Sequence, residues 1–170
     1  MAGKHGKLKT GTNTYYDITC IRKKAKKVYR NPRLRRWQQM LKAYKYRIYP
    51  TNEQKEQIAK TFGCCRFVYN RTLAYRKEAY EKEKKNVNKT NCNNYCNQVL
   101  KKEYGWLKEV DKFALTNAIY NMDAAYQKFF KEHTGYPKFK SKHDGHKSYT
   151  TNFTNGNITA DFDGGKVKLP

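Results

Sequence analysis

The stretch Leu41-Lys42-Ala43-Tyr44-Lys45-Tyr46-Arg47-Ile48-Tyr49-Pro50-Thr51 decides how the rest of the chain is read. Tyr44, Tyr46 and Ile48 fall on one side of an extended backbone and Lys45 and Arg47 on the other, the period of two that marks a half-buried strand. Pro50 ends the run, because proline has no N–H to give to a ladder. Thr51 then offers a helix N-cap, with Gln54 three residues on to complete a capping box. The helix that follows carries Ile58, Phe62, Cys65, Tyr69, Leu73 and Tyr80 on one stripe at spacings near 3.6. Gly63 sits inside it, either as a weak point or as a close helix–helix contact.

Downstream, residues 82–97 are polar, a Lys/Glu run followed by many Asn, and read as a loop or an ill-defined helix, with a short helix over 97–102. Asp111 is the expected N-cap of a second long helix, in which Leu115, Ile119, Met122, Tyr126 and Phe129 recur every three or four residues. Gly135 and Pro137 stop it. Beyond them Lys138, Lys140, Lys142 and Lys147 alternate with Phe139 and small polar residues. Two strand-like runs, 149–153 and 157–162, flank Asn155-Gly156, a two-residue hairpin signal, and Gly164-Gly165 makes a further turn before Lys166-Val167-Lys168-Leu169. A strand there without a partner would leave an unpaired edge.

Charge points to the partner. The 170 residues hold 37 Lys and Arg against 14 Asp and Glu, a formal net charge of +23. Like charges repel in a compact chain, so an excess of this size is relieved by a polyanion. The mean hydropathy of −1.09 and the absence of a long apolar run exclude a membrane span. Nucleic acid is favoured over an anionic bilayer surface because 15 Tyr and 8 Phe supply ring faces on which bases stack. Most of those rings, the Tyr44/Tyr46 pair and Phe129/Phe130 among them, are nevertheless expected in the core. Residues 1–39 carry 12 Lys and Arg and a single acid, Asp17, with no sustained apolar period. They read as a disordered basic arm, and Met40 is a second candidate for the true start. Five cysteines, an odd number, with no secretory signal suggest free thiols in a reducing cytoplasm. Cys92-x3-Cys96 and His143-x2-His146 are too far apart, and the first pair too unusually spaced, to count as a zinc site. No metal, no cofactor and no small-molecule substrate is expected.

Three segments in order resemble the N-terminal region of the OrfB/TnpB family of insertion-sequence proteins, RNA-guided nucleases related to type V CRISPR effectors. They are 42–51 continuing through Phe62-Gly63-Cys64-Cys65-Arg66-Phe67-Val68-Tyr69-Asn70; 106–115 continuing through Ala125-Tyr126 to Phe129-Phe130; and Gly135-Tyr136-Pro137-Lys138-Phe139-Lys140, with Ser148-Tyr149 and Phe153-Thr154-Asn155 behind it and then Lys166-Val167-Lys168-Leu169-Pro170. The resemblance covers 40–170 and implies an α+β fold, in which a helical bundle (a recognition domain with a helix-turn-helix) is inserted after the first strand of an incomplete wedge-type β-barrel. The implied boundaries are a basic extension over 1–39, a first barrel strand over 40–51, the helical region over 52–134, and a basic loop with partial barrel strands over 135–170. The resemblance further implies binding of guide RNA and of duplex DNA beside the target, with guide pairing reading most of the target sequence. The family's nuclease carboxylates and its zinc ribbon of two Cys-x-x-Cys pairs have no counterpart here, since the sequence holds no Cys-x-x-Cys and its last acids, Asp161 and Asp163, fall in an expected turn. The chain is therefore expected to bind and not to cut, as a fragment that stops before the nuclease domain. A stand-alone helix-turn-helix DNA-binding regulator, with the motif over 58–80, is the alternative.

The candidate nucleic-acid-binding residues follow. The resemblance places Lys112 and Thr116, one turn apart, where relatives contact the target-adjacent duplex, although some relatives have a larger amide at the Thr116 position. It places Thr154 and Asn155 at another contact, where Asn155-Gly156 equally satisfies a turn. Arg66 and Asn70 share a helix face suited to RNA phosphate and sugar, or simply to water. Lys138, Lys140 and Lys142, with Tyr136 and Phe139, form a basic–aromatic stretch suited to a sugar–phosphate backbone.

Overall fold

The computed structural model describes residues 16–26, 38–145, 147–161 and 163–170. By their contacts the described residues divide into two units, one within Met1–Lys55 and one within Glu56–Pro170. In the first, β1 (Tyr16–Lys26) pairs antiparallel with β2 (Gln38–Ile48), in a register that sets Tyr16 opposite Ile48 and Lys26 opposite Gln38. The strand read at 41–49 is therefore the second strand of a hairpin. Its partner was hidden in the supposed basic arm, where Tyr16, Ile18, Thr19 and Ile21 are good β-formers that stand just before a run of Arg and Lys. The rest of that arm, residues 1–15 and 27–37, lies outside the described residues.

The capping box forms. The Thr51 N–H donates to Gln54 Oε1 at 3.0 Å and the Gln54 N–H to Thr51 Oγ1 at 3.4 Å. It opens α1 (Asn52–Glu83), a 32-residue helix. Helix α2 (Lys89–Tyr95) is capped by Asn88, whose side chain accepts from the Asn91 N–H at 2.9 Å. It widens into a π-helical turn over Cys96–Leu100, closes with α3 (Lys101–Glu103), and leads through a 3₁₀ turn at Gly105–Lys108 into α4 (Lys112–Glu132). The polar segment is thus largely helical. Among its Lys and Asn residues, Cys92, Cys96 and Leu100 recur every four positions, and all three are buried. Cysteine behaves there as a small hydrophobe, which a reading of polarity undervalues.

One core joins these helices: Val68 and Leu73 of α1; Cys92, Cys96 and Leu100; Leu107; and Ala114, Leu115, Ile119, Met122 and Tyr126 of α4. The α4 stripe is as spaced in the sequence, apart from Phe129, which is half-buried. The α1 stripe is rotated. Cys65, Tyr69 and Leu73 are buried, but so are Thr61, Thr72 and Arg76, whereas Tyr80 is 60% exposed. Two threonines enter the core because their hydroxyls bond back to the helix, Thr61 to the Gln57 carbonyl at 2.9 Å and Thr72 to that of Val68 at 2.7 Å. At Gly63 a Cβ would meet nothing within 4 Å, so no close helix contact explains it.

No barrel forms among the described residues. The strands make two separate two-stranded sheets, β1–β2 and β3–β4, the latter pairing Thr159–Asp161 with Lys166–Lys168. The late hairpin turns at the second glycine signal rather than the first. Gly165 has φ +61°, and a Cβ at Gly164 would collide with the Asp161 carboxylate, which accepts the Gly164 N–H at 2.9 Å. Asn155 and Gly156, at φ +50° and +72°, also make a turn, but residues 149–153 on its near side are not a strand. Their polar groups are instead taken up by α4 and its cap.

Candidate nucleic-acid interface

The segment after α4 is held against the helices by side-chain clamps. Helix α4 is capped at its C-terminus by His133, which adopts the left-handed conformation, and among the described residues no further helix or strand forms before Thr159. Asn70 on α1 acts toward this segment as a neighbouring strand would. Its Nδ2 donates to the Lys140 carbonyl at 3.0 Å, and its Oδ1 accepts the Lys140 N–H at 2.8 Å. The Lys140 ammonium lies 4.7 Å from the centre of the Tyr69 ring. On α4, Asn117 donates to the Thr150 carbonyl at 2.9 Å and to Asn152 Oδ1 at 3.1 Å. Asp111 caps α4 by accepting the Phe113 and Ala114 N–H groups, each at 3.1 Å, and also accepts the Thr151 hydroxyl.

These clamps enclose a cleft of about 260 Å³ between α1, α4 and the segment. Cys65, Ala114 and Ala118 are its buried wall, with half-buried Phe62 and Tyr149 packed edge to face at 5.6 Å. Arg66, Lys140 and Lys147 bring three cations to it, against the one carboxylate of Asp144. Ser141, Ser148, Thr150 and Asn121 complete the lining. Burial pushes the Cys65 thiol up to about 12 and raises the Tyr149 phenol, so both are neutral at pH 7. The cleft therefore combines a neutral apolar interior with a cationic mouth.

Of the candidate residues, Arg66 and Lys140 meet at this cleft, and Asn70 is committed to positioning Lys140. Lys138 and Lys142 are exposed on the same segment, as are Phe139 (57%) and Tyr136 (43%). Lys112 and Thr116 do not line the cleft. They occupy the first turns of α4, where the Lys112 ammonium lies 5.1 Å from the Phe113 ring centre and the Thr116 hydroxyl donates to the Lys112 carbonyl at 3.0 Å. Thr154 and Asn155 are exposed in the turn that Asn157 braces, its Oδ1 accepting the Thr154 N–H at 2.7 Å. Asn117, Asn121 and Asp144 enter the site only through the fold, and Lys147 joins it from the basic stretch after Pro137. The spacing of four between Asn117 and Asn121, beside the apolar stripe of α4, is the signal that would have found the first two.

His146 lies outside the described residues, so the His143/His146 pair is not placed. Cys92 and Cys96 are buried core thiols, and burial pushes the Cys92 thiol up to about 11. Among the described residues no three His, Cys, Asp or Glu converge as a metal site, and no helix is long and apolar enough to cross a membrane.

Comparison with known proteins gives the geometry a context. Residues 40–85 match the helix-turn-helix domain of OrfB proteins of the IS605 type. Two relatives carry the name “Putative RNA-guided DNA endonuclease”. The one from Streptomyces pristinaespiralis is 36% identical over 101 residues, 59% of this chain and 25% of its own. The other, InsQ of Escherichia coli K12, is 28% identical over 98 residues, 57% of this chain and 24% of its own. A third relative, virulence protein VsdF of Salmonella dublin, is 38% identical over 99 residues, 54% of this chain and 83% of its own. The chain thus spans about a quarter of the endonucleases and most of the shorter protein. Within the matched residues, the structure has β2 and one unbroken helix, α1.

Proposed function

This chain belongs to the OrfB/TnpB family of insertion-sequence proteins, and from that premise we propose that its helical unit binds nucleic acid, gripping guide RNA and the duplex beside the target. The observation that carries the reading is the basic segment after α4, clamped at Lys140 by Asn70 and opening with Arg66 onto a cationic cleft. A segment fixed in this way presents the exposed Lys138, Lys140 and Lys142 to a phosphate backbone without first having to be ordered. Phe139 beside them offers a ring face for an unpaired base, whereas the Tyr136 ring packs edge to face on Tyr126 and Phe129 and its hydroxyl bonds that of Tyr126. Lys112 and Thr116, with Thr154 and Asn155, are assigned the duplex contact. Strand cleavage is assigned to no residue of this chain, in keeping with a match that covers a quarter of the endonuclease relatives.

The alternative of a stand-alone helix-turn-helix regulator needs two helices set across a turn. Helix α1 runs unbroken from Asn52 to Glu83, which favours the RNA reading over that one. The test is binding of the full chain to a structured insertion-sequence-end RNA and to a DNA duplex of equal length, at 50 and 200 mM salt. A preference for the RNA that falls steeply with salt is expected. No binding to either at 50 mM would overturn the proposal, and a preference for the duplex would favour the regulator.

A further inference from the structure

The cleft between α1, α4 and the 140–150 segment is more than a charged patch, because a nearly neutral interior lies behind its cations. Its wall is buried Cys65, Ala114 and Ala118 with the Phe62 and Tyr149 rings, and its mouth is exposed Lys140 and Lys147 with half-buried Arg66. At about 260 Å³ it falls below the roughly 300–1,000 Å³ of pockets that take drug-sized ligands. A flat heteroaromatic ring fits an apolar wall edged by aromatic rings, and a phosphate fits three cations opposed by one carboxylate. The polar groups between them, Ser141, Ser148, Thr150 and Asn121, are donors and acceptors suited to base and sugar edges.

We infer that this cleft receives one nucleotide lifted out of its stack, base against the Phe62/Tyr149 wall and phosphate on Arg66, Lys140 and Lys147. The inference rests on the nucleic-acid reading above and gives it a subsite. A continuous duplex must first be unpaired and unstacked to offer a base, so the cleft favours strands with a nucleotide that is already bulged or unpaired. Asn70 is a positioning residue for this site, since it fixes the backbone that carries Lys140 to the mouth.

The test compares the full chain binding to an RNA hairpin with a single-nucleotide bulge, the same hairpin without it, and the corresponding pair in DNA, with 2-aminopurine at the bulge. Tighter binding of a bulged probe by about tenfold is expected, with a change in 2-aminopurine emission on binding. Whether RNA, DNA or both show the preference identifies the source of the nucleotide. Ser148→Trp and Asn121→Trp, at exposed positions that fill the mouth, are expected to bring the ratio close to one, and Arg66→Gln to reduce it several-fold. Lys128→Gln, an exposed α4 lysine outside the lining, is expected to keep it. Equal binding of bulged and unbulged probes by the unaltered chain, or an undiminished ratio in both Trp variants, overturns the cleft while leaving general binding intact. Failure to bind any probe overturns both readings.

Discussion

Arg76 shows what a single side chain decides. Its guanidinium reaches Asp123 Oδ1 at 2.7 Å and lies 4.1 Å from the centre of the Tyr126 ring, with the two ionic side chains only 9% and 16% exposed. Removing one member of a buried pair leaves the other charge unpaired, a far larger cost than replacing both. Asp123→Ala is therefore expected to lower stability by about 3 kcal/mol, and Arg76→Met with Asp123→Leu by much less, both read from urea midpoints. The buried thiols make a second prediction. Burial raises Cys65 to about 12 and Cys92 to about 11 from an ordinary 9.0. Below pH 9 these thiols are protonated in folded and unfolded chains alike. Above it the unfolded chain releases their protons first, so stability falls as pH rises from 9 toward 11–12, by at most about 1.4 kcal/mol per pH unit for each thiol. Urea midpoints between pH 8 and 10 should fall in the unaltered chain and fall less in the Cys65→Ala, Cys92→Ala variant. The burial of Cys65 was legible in the apolar stripe of the first long helix, but the ion pair was not. Arg76 counts as polar in any periodicity, and its partner on α4 is 47 residues away.

At the scale of elements, local chemistry carried further. The Thr51/Gln54 box and the Asp111 cap were readable because each involves residues two or three apart. Asp111 has a second task that sequence could not show, the bond from the Thr151 hydroxyl that ties the later segment to the start of α4. Asp111→Ala is expected to cost about 2 kcal/mol, the upper end for a cap, and Asp111→Asn much less, by thermal or urea unfolding. Gly63 lies in α1 with open space where a Cβ would be, so Gly63→Ala should stabilise the chain by about 0.5–1 kcal/mol. The Asn70 clamp predicts a local effect. In Asn70→Ala, trypsin should cut after Lys138, Lys140 or Lys142 several-fold faster while helix content by circular dichroism is unchanged. Equal cleavage rates would mean that the clamp does not hold the segment.

At the scale of the whole molecule, the +23 net charge and the exposed lysines of the clamped segment together fix how binding should depend on salt. Each phosphate contact on a single strand contributes about 0.7 to the slope of log affinity against log salt. Replacing Lys138, Lys140 and Lys142 by Gln should flatten the slope by about 2 for a single-stranded RNA, measured by titration between 50 and 200 mM salt. An unchanged slope would place the phosphate contacts on other lysines. The charge excess would have predicted some salt dependence for almost any arrangement of these residues. Its assignment to one segment comes from the fold.

The sequence alone determined the period-two strand before Pro50, the two long helices and their caps, the surplus of cations and the family. Each of these is written in neighbours a few residues apart or in composition, where backbone geometry and charge act without tertiary help. Only the tertiary structure decided that β2 has β1 as its partner, that Arg76 and two threonines enter the core, and that Asn70 serves Lys140. It alone brought Arg66 of α1, Asn121 of α4 and Lys147 of the final segment to one cleft. Apart from the threonines, those facts depend on groups 12 to 81 residues apart, and no local period records which distant backbone will satisfy a side-chain amide or which cations packing will bring together.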